Sequence, residues 1–397
     1  NGNPNPEVIT ALVKAGAEVN ARTESGWTPL MMAANGNPNP EVITALVKAG
    51  ADVNAGAEEG RTPLMYAAFK SPSPEVIAAL VKAGAEVNAR NEDGVTPLMI
   101  AVIWNSNPEV IRALVKAGAE LEARDEYGWT PLMTAASFAS NPEVITALLE
   151  PGAELEARIK ILGWTPLMFA AVKNSNPEVI RALVKAGAQL EARDEKGGTP
   201  LMLAAEDNSN PEVITALVKA GAELEARAEE GRTPLMLAVI KNSSPEVITA
   251  LVKAGAELEA RDEEGFTPLM YAAGDNSSPE VLTTLLEAGA EVNARNEDGV
   301  TSLMAAARLN SNPEFLTTLL EAGAELEARD GDGFTPLIWA ARFNSNPEVI
   351  TVLLKAGANA KAKSGKGKAS LYYAKRNEKI YKTKAYWELN DAYYKED

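Results

Sequence analysis

Residues 128–161 read GWTPLMTAASFASNPEVITALLEPGAELEARIKI, and nearly every part of the stretch carries a local instruction. Thr130 suits the cap of a helix, with Pro131 at the first helical position, where a missing N–H costs nothing. A short helix follows through Ala135 and Ala136, whose small side chains permit close packing. Ser140 and Asn141 end it, and Asn141 caps a second helix beginning at Pro142, with Glu143 complementing the helix dipole. Val144, Ile145, Leu148 and Leu149 supply an apolar stripe at helical spacing. Sister stretches place Lys116, Lys219 and Lys253 in the last turn, and Gly118, Gly152 and Gly221 just past the helix end, where a left-handed residue is wanted. An extended finger with a Gly turn, such as Ala222 to Gly231, leads to the next Thr-Pro-Leu.

Working outward, Thr-Pro-Leu-Met or a near variant begins at Thr28, Thr62, Thr96, Thr130, Thr165, Thr199, Thr233, Thr267, Thr301 and Thr335, spaced by 34 residues with one step of 35 after Thr130. A second series, Pro-Glu-Val or Pro-Glu-Phe, runs from Pro6 to Pro347 with the same period. The 397 residues are therefore read as one array and not as several globular domains. The expected layout is a half unit over 1–25, ten units over 26–366 and a degenerate, basic, Tyr-rich cap over 367–397. Residues 1–9 repeat residues 35–43 letter for letter, so the chain opens in mid-unit. Val8, Ile9 and Leu12 are then expected on an apolar edge that a preceding segment or another body would cover.

Composition removes whole classes of chemistry. Neither Cys nor His occurs, which excludes disulfides, thiol chemistry, Cys/His zinc sites and imidazole-based catalysis. Thirty-eight basic against 55 acidic residues give a net charge of −17, which argues against a nucleic-acid partner. Residues 359–397 oppose the trend, with ten Lys/Arg against five Asp/Glu. No apolar run approaches the ~18–20 residues of a membrane span, and no secretory signal pattern is expected. The compartment is left open.

The recurring pattern Gly-x-Thr-Pro-Leu-x-x-Ala-Ala, then Glu-Val-Ile, then Gly-Ala-Glu-Leu resembles the ankyrin repeat over essentially the whole chain. The resemblance implies an all-α ankyrin-repeat solenoid of helix-turn-helix units with extended finger loops. At ~10 Å per unit that would be a curved rod of about 100 Å. Two departures stand out. The period is 34 where the family has 33, the extra residue lying in the Asn-Ser-Asn-Pro link. Met also replaces the family's His after Thr-Pro-Leu, so the usual Thr–His hydrogen bond is absent and sulfur packing is expected in that slot.

The second helix barely changes between units, whereas variation gathers at the residue after the turn Gly, the residue after the Met slot, the end of the first helix and the finger tips. In the ankyrin family these positions line a concave surface that grips partners. The resemblance therefore implies a non-enzymatic scaffold, without cofactor or metal, that binds a protein or peptide. Its partner-binding residues would be Trp27, Arg61, Tyr66, Trp104, Trp129, Phe138, Trp164, Phe169, Phe266, Tyr271, Phe334 and Trp339. Large aromatics at variable positions are what interaction surfaces use. The same residues also suit packing between neighbouring first helices. Basic or amphipathic partners are favoured electrostatically by the acidic body.

An alternative function is a structural subunit that stacks head to tail through Val8, Ile9 and Leu12 at one end and Tyr386, Trp387, Tyr393 and Tyr394 at the other. At the step of 35, Ile159, Ile161 and Leu162 replace acidic tip residues. They predict either a protruding apolar finger that contacts a partner or a neutral insertion in a tolerant loop. The Met series is read as core filling. The Arg124-to-Arg329 series beside Glu122, Glu156, Glu191, Glu225, Glu259 and Glu327 is read as a charge-balancing ladder. Asp330 to Gly333 lacks the spaced ligands of a calcium loop, Lys361–Ser370 lacks phosphate-loop spacing, and solvated tip carboxylates do not suit acid–base catalysis.

Overall fold

The computed structural model describes residues 5–105, 107–242, 244–275 and 278–395, so the first four residues of the expected half unit lie outside it. Those residues form 23 α-helices, two single 3-10 turns and no strand. Two compact units are present, Asn1–Glu195 and Lys196–Asp397.

Each unit is a solenoid of helix pairs. In the first, Pro63–Lys70 pairs with Pro74–Lys82, Pro97–Trp104 with Pro108–Lys116, and Pro131–Phe138 with Glu143–Leu149. In the second, Pro234–Lys241 pairs with Pro245–Lys253, and Pro336–Phe343 with Glu348–Lys355. Within a unit, first helices pack on first helices and second helices on second helices. The chain ends in helices Ser370–Ala374 and Lys384–Tyr394, joined to the array where Thr351 Oγ1 donates to Glu388 Oε2 at 2.6 Å.

The local chemistry explains the pairs. Thr130 Oγ1 accepts the Met133 N–H at 3.3 Å ahead of Pro131, a cap worth about 1 kcal/mol. In three units the methionine does more than fill space. Thr28, Thr165 and Thr199 each donate their backbone N–H to the sulfur three residues on, at 3.4 Å. The expectation of packing alone is thus corrected: at these places sulfur supplies an acceptor as well. In the second helix Val144, Ile145 and Leu148 are buried, while Leu149 is only half-buried.

The Asn-Ser-Asn-Pro link is a stitch between neighbours. Asn105 donates to the carbonyls of Ala68 and Ser71 in the preceding repeat, at 3.2 and 2.7 Å. Asn107 then accepts the Glu109 N–H at 3.0 Å and caps the second helix. The same division recurs at Asn344 and Asn346. The longer period therefore comes with a polar link whose side chains satisfy backbone groups that would otherwise be buried without partners.

The fingers are tied together through arginine, and here the charge-ladder reading is corrected. Arg261 Nη1 donates to the Gly265 carbonyl of its own tip at 3.0 Å and to the Arg295 carbonyl of the next finger at 2.6 Å. Arg90, Arg124, Arg158, Arg227 and Arg329 make the same double contact. A guanidinium bridges two acceptors that a carboxylate partner would leave unserved. An Arg–Glu pair joins this ladder at Arg295, whose Nη2 reaches Glu325 at 3.1 Å. Tip glycines are required by shape: Gly333 has φ 74°, and a Cβ there would lie 2.8 Å from the Gly365 nitrogen of the next tip.

Candidate functional site

The variable positions come together as strips along the first helices and finger tips, one in each compact unit. The tip residue that follows each ladder arginine sets the geometry. Asp125, Asp262 and Asp330 accept, on Oδ1, the backbone N–H of Trp129, Phe266 and Phe334 at 2.7–2.8 Å. This closes the turn and aims the residue after the turn Gly at the first helix of its own repeat. Where the first helix carries a polar aromatic, the other carboxylate oxygen holds it. Asp330 Oδ2 accepts from Trp339 Nε1 at 2.9 Å, and Asp262 Oδ2 accepts from the Tyr271 hydroxyl. Of these aspartates the sequence reading named only Asp330, in a stretch set aside as a calcium loop; their recurrence after the ladder arginine was the available signal of this role.

In the first unit, Trp27 is half-buried against Tyr66, with ring centroids 4.1 Å apart, and Phe69 meets Trp104 at 5.7 Å. They line a cleft of about 490 Å³ that Met65, Val95 and Ile103 complete. Trp104 remains 64% exposed. Arg61, exposed at the rim, pairs with Glu59 at 2.6 Å. Further along, Trp129 stacks on Phe138 at 5.9 Å and meets Phe169 at 4.4 Å, while Trp164 approaches Phe169 edge-on at 5.3 Å. Trp164 Nε1 also donates to Asp194 Oδ2 at 3.2 Å.

In the second unit, Phe266 and Tyr271 are half-buried 5.5 Å apart, with Arg232 5.6 Å over the Tyr271 ring. Burial, reinforced by Asp262, pushes the Tyr271 hydroxyl up to about 12. A cleft of about 380 Å³ runs from Phe266 to Trp339, with the exposed carboxylates of Glu264, Asp298 and Asp332 at its rim. Arg308 stacks 5.1 Å over Trp339.

Not every expected contact residue is available. Phe169 and Phe334 are each only 2% exposed, and Tyr66 is buried too. Phe334 is packed against Trp339 and Tyr373 under Arg342. The partner-facing reading of these three is corrected: they pack inward, and Trp27, Trp104, Trp129, Phe138, Trp164, Phe266, Tyr271 and Trp339 keep exposed area. The three-residue apolar finger is also revised. Ile159 occupies the turn-closing position of Asp125 and is buried near Gly128, whereas Ile161 is 81% exposed and Leu162 is exposed beside it. Tyr127, at the preceding tip, is exposed as well and was missed.

At the proposed assembly ends, Val8 and Leu12 are exposed and Ile9 is half-buried. Trp387 and Tyr394 are exposed and Tyr393 is half-buried, but Tyr386 is buried, which corrects its reading as a contact. It packs at 5.2 Å on Tyr381 and 5.0 Å on Trp387.

Larger depressions lie elsewhere. One of about 640 Å³ runs between Pro211–Lys219 and Pro245–Lys253, but its walls are the little-changing second helices. A surface that the repeats present nearly alike discriminates less than the variable strip. Among the described residues no acidic or other cluster suits a metal ion, and no helix is long and apolar enough to cross a membrane.

Comparison with known proteins agrees with this architecture. A model described as ankyrin repeats in three copies matches residues 1–91, 70–159, 154–228, 204–296, 275–364 and 303–383. The solved ankyrin repeat domain of human ASB11 is similar at 26% identity and a TM-score of 0.50, over 58% of this chain and 99% of that one. No curated protein matches the chain. Ankyrin repeats as a family are non-enzymatic scaffolds for contact between proteins. The chain belongs to the ankyrin repeat family.

Proposed function

We propose that this protein is a non-enzymatic scaffold whose finger and first-helix strip, the family's concave face, holds a protein or peptide segment of basic or amphipathic character. The observation that carries the reading is the cleft between Phe266 and Trp339, rimmed by Glu264, Asp298 and Asp332. Aromatic walls bury the stem of a long side chain, and the carboxylate rim favours a cationic head and speeds encounter. The exposed Ile161, Leu162 and Tyr127 of the first unit suit an apolar part of the same kind of ligand.

Panning a displayed random-peptide library tests this. The wild-type protein should enrich peptides combining Lys/Arg with aromatic or aliphatic residues. Enrichment of the basic residues should disappear on a Glu264→Lys, Asp298→Lys, Asp332→Lys variant, and of the apolar ones on Trp129→Ala. An unchanged peptide pool from both variants would place binding elsewhere.

A further inference from the structure

At the base of each finger one side chain reaches to the next repeat, and its chemistry changes along the chain. Where it is Asn, the amide makes two contacts. Oδ1 of Asn20, Asn54, Asn88 and Asn293 accepts the N–H of Asp52, Glu86, Glu120 and Glu325 at 2.8–2.9 Å. Nδ2 of the same residues donates to the carbonyls of Gly50, Gly84, Gly118 and Gly323 at 2.9–3.1 Å.

At positions 122, 225 and 259 the residue is Glu. Its Oε1 keeps the first contact, accepting from the N–H of Glu154, Glu257 and Glu291 at 2.8–2.9 Å. Its Oε2 is buried and has no hydrogen-bond partner among the described residues. The carbonyls an Asn would reach from these positions belong to Gly152, Gly255 and Gly289. An ionised carboxylate can only accept, so these positions offer no donor of the kind the Asn positions supply.

We propose that Glu122, Glu225 and Glu259 are proton-operated latches between neighbouring repeats: a proton on Oε2 makes the carboxyl the donor that the Asn amide is elsewhere, and the joints tighten in mild acid. The electrostatics of each position agree. Burial is the first cause holding all three carboxyls above the ordinary Glu value, and the carboxylates of Glu154, Glu257 and Glu291 act in the same sense. The accepted backbone N–H and the facing Arg124, Arg227 and Arg261 oppose the rise and are outweighed. A carboxyl whose pKa is raised by folding contributes its stabilisation fully below the unfolded value and loses it as pH rises through the folded value. The latches therefore hold in mild acid and release above it.

Thermal unfolding between pH 4.5 and pH 8 tests the idea with a Glu122→Gln, Glu225→Gln, Glu259→Gln variant, whose amides donate at every pH. A control variant, Glu92→Gln, Glu263→Gln, Glu297→Gln, removes the same charge from exposed tip positions. The latch variant should melt several degrees higher than the control near neutral pH and show a flatter pH profile. Equal midpoints and equal slopes would overturn the proposal. Carbon-detected titration of the labelled wild-type carboxyls supplies a readout free of any folding change. Three glutamates should titrate above the exposed ones, and their titration with the bulk would also overturn it.

Discussion

Trp339 donates its indole N–H to Asp330 Oδ2 at 2.9 Å, while Oδ1 of the same aspartate closes the finger turn by accepting the Phe334 N–H at 2.7 Å. One carboxylate thus sets the turn and orients the aromatic wall of the cleft. Asp330→Ala should cost about 1–2 kcal/mol in denaturant unfolding, since several hydrogen bonds to a charged group go at once. Asp330→Asn, which keeps an acceptor for the turn, should cost less. In both variants the Trp339 emission, read as a difference against Trp339→Phe, should move to longer wavelength as the ring loosens.

The inserted finger separates a structural residue from exposed ones. Ile159→Ala should destabilise by about 2–4 kcal/mol, the ordinary cost of truncating a buried isoleucine. Ile161→Asp should change stability by less than about 0.5 kcal/mol. Equal effects in chemical denaturation would contradict the burial seen at Ile159.

That finger also shows what was legible in the sequence. The repeat, both helices, their caps and the turn glycines could be read because each depends on residues a few positions apart. The roles of individual aromatics could not. Phe334 and Trp27 occupy equivalent positions after a turn Gly, yet Phe334 is sealed by Tyr373 of the next repeat and Arg342 of its own helix, while Trp27 stays half-buried against Tyr66. Burial there is decided in part by the neighbouring repeat. Arginines beside glutamates suggested ion pairs, but the nearer acceptors are backbone carbonyls, which composition does not reveal.

Arg261 tests the ladder. Arg261→Ala removes contacts to the Gly265 and Arg295 carbonyls and should cost about 1 kcal/mol, the value being moderated by exposure. Arg261→Lys should recover less than half of it, because the ammonium is more strongly hydrated and its flexible stem must be ordered to place a nitrogen where Nη1 now meets both carbonyls. Equal stability of the Lys variant and the wild type in urea would reduce the ladder to simple charge.

Tyr271 gives a signature in alkali. With its hydroxyl pushed up to about 12 against an ordinary 10.0, it should form tyrosinate well after an unperturbed phenol would. A phenol whose pKa is raised by folding stabilises the native state fully below about 10 and loses that contribution as pH approaches 12. Ultraviolet titration of wild type against Tyr271→Phe should remove one late-titrating group, and the variant should show a shallower loss of stability over the same interval.

The arginine joint is indifferent to how long a finger is. Arg124 finds its second carbonyl 34 residues on, at Arg158, and Arg158 finds its own 35 residues on, at Arg193, because the inserted residue bulges outside the bond. A copied unit therefore arrives carrying both halves of its own coupling, a donor facing one way and an acceptor facing the other. Such a molecule can be lengthened or shortened by whole units, and its tips can be rewritten one at a time, without renegotiating how any unit meets the next.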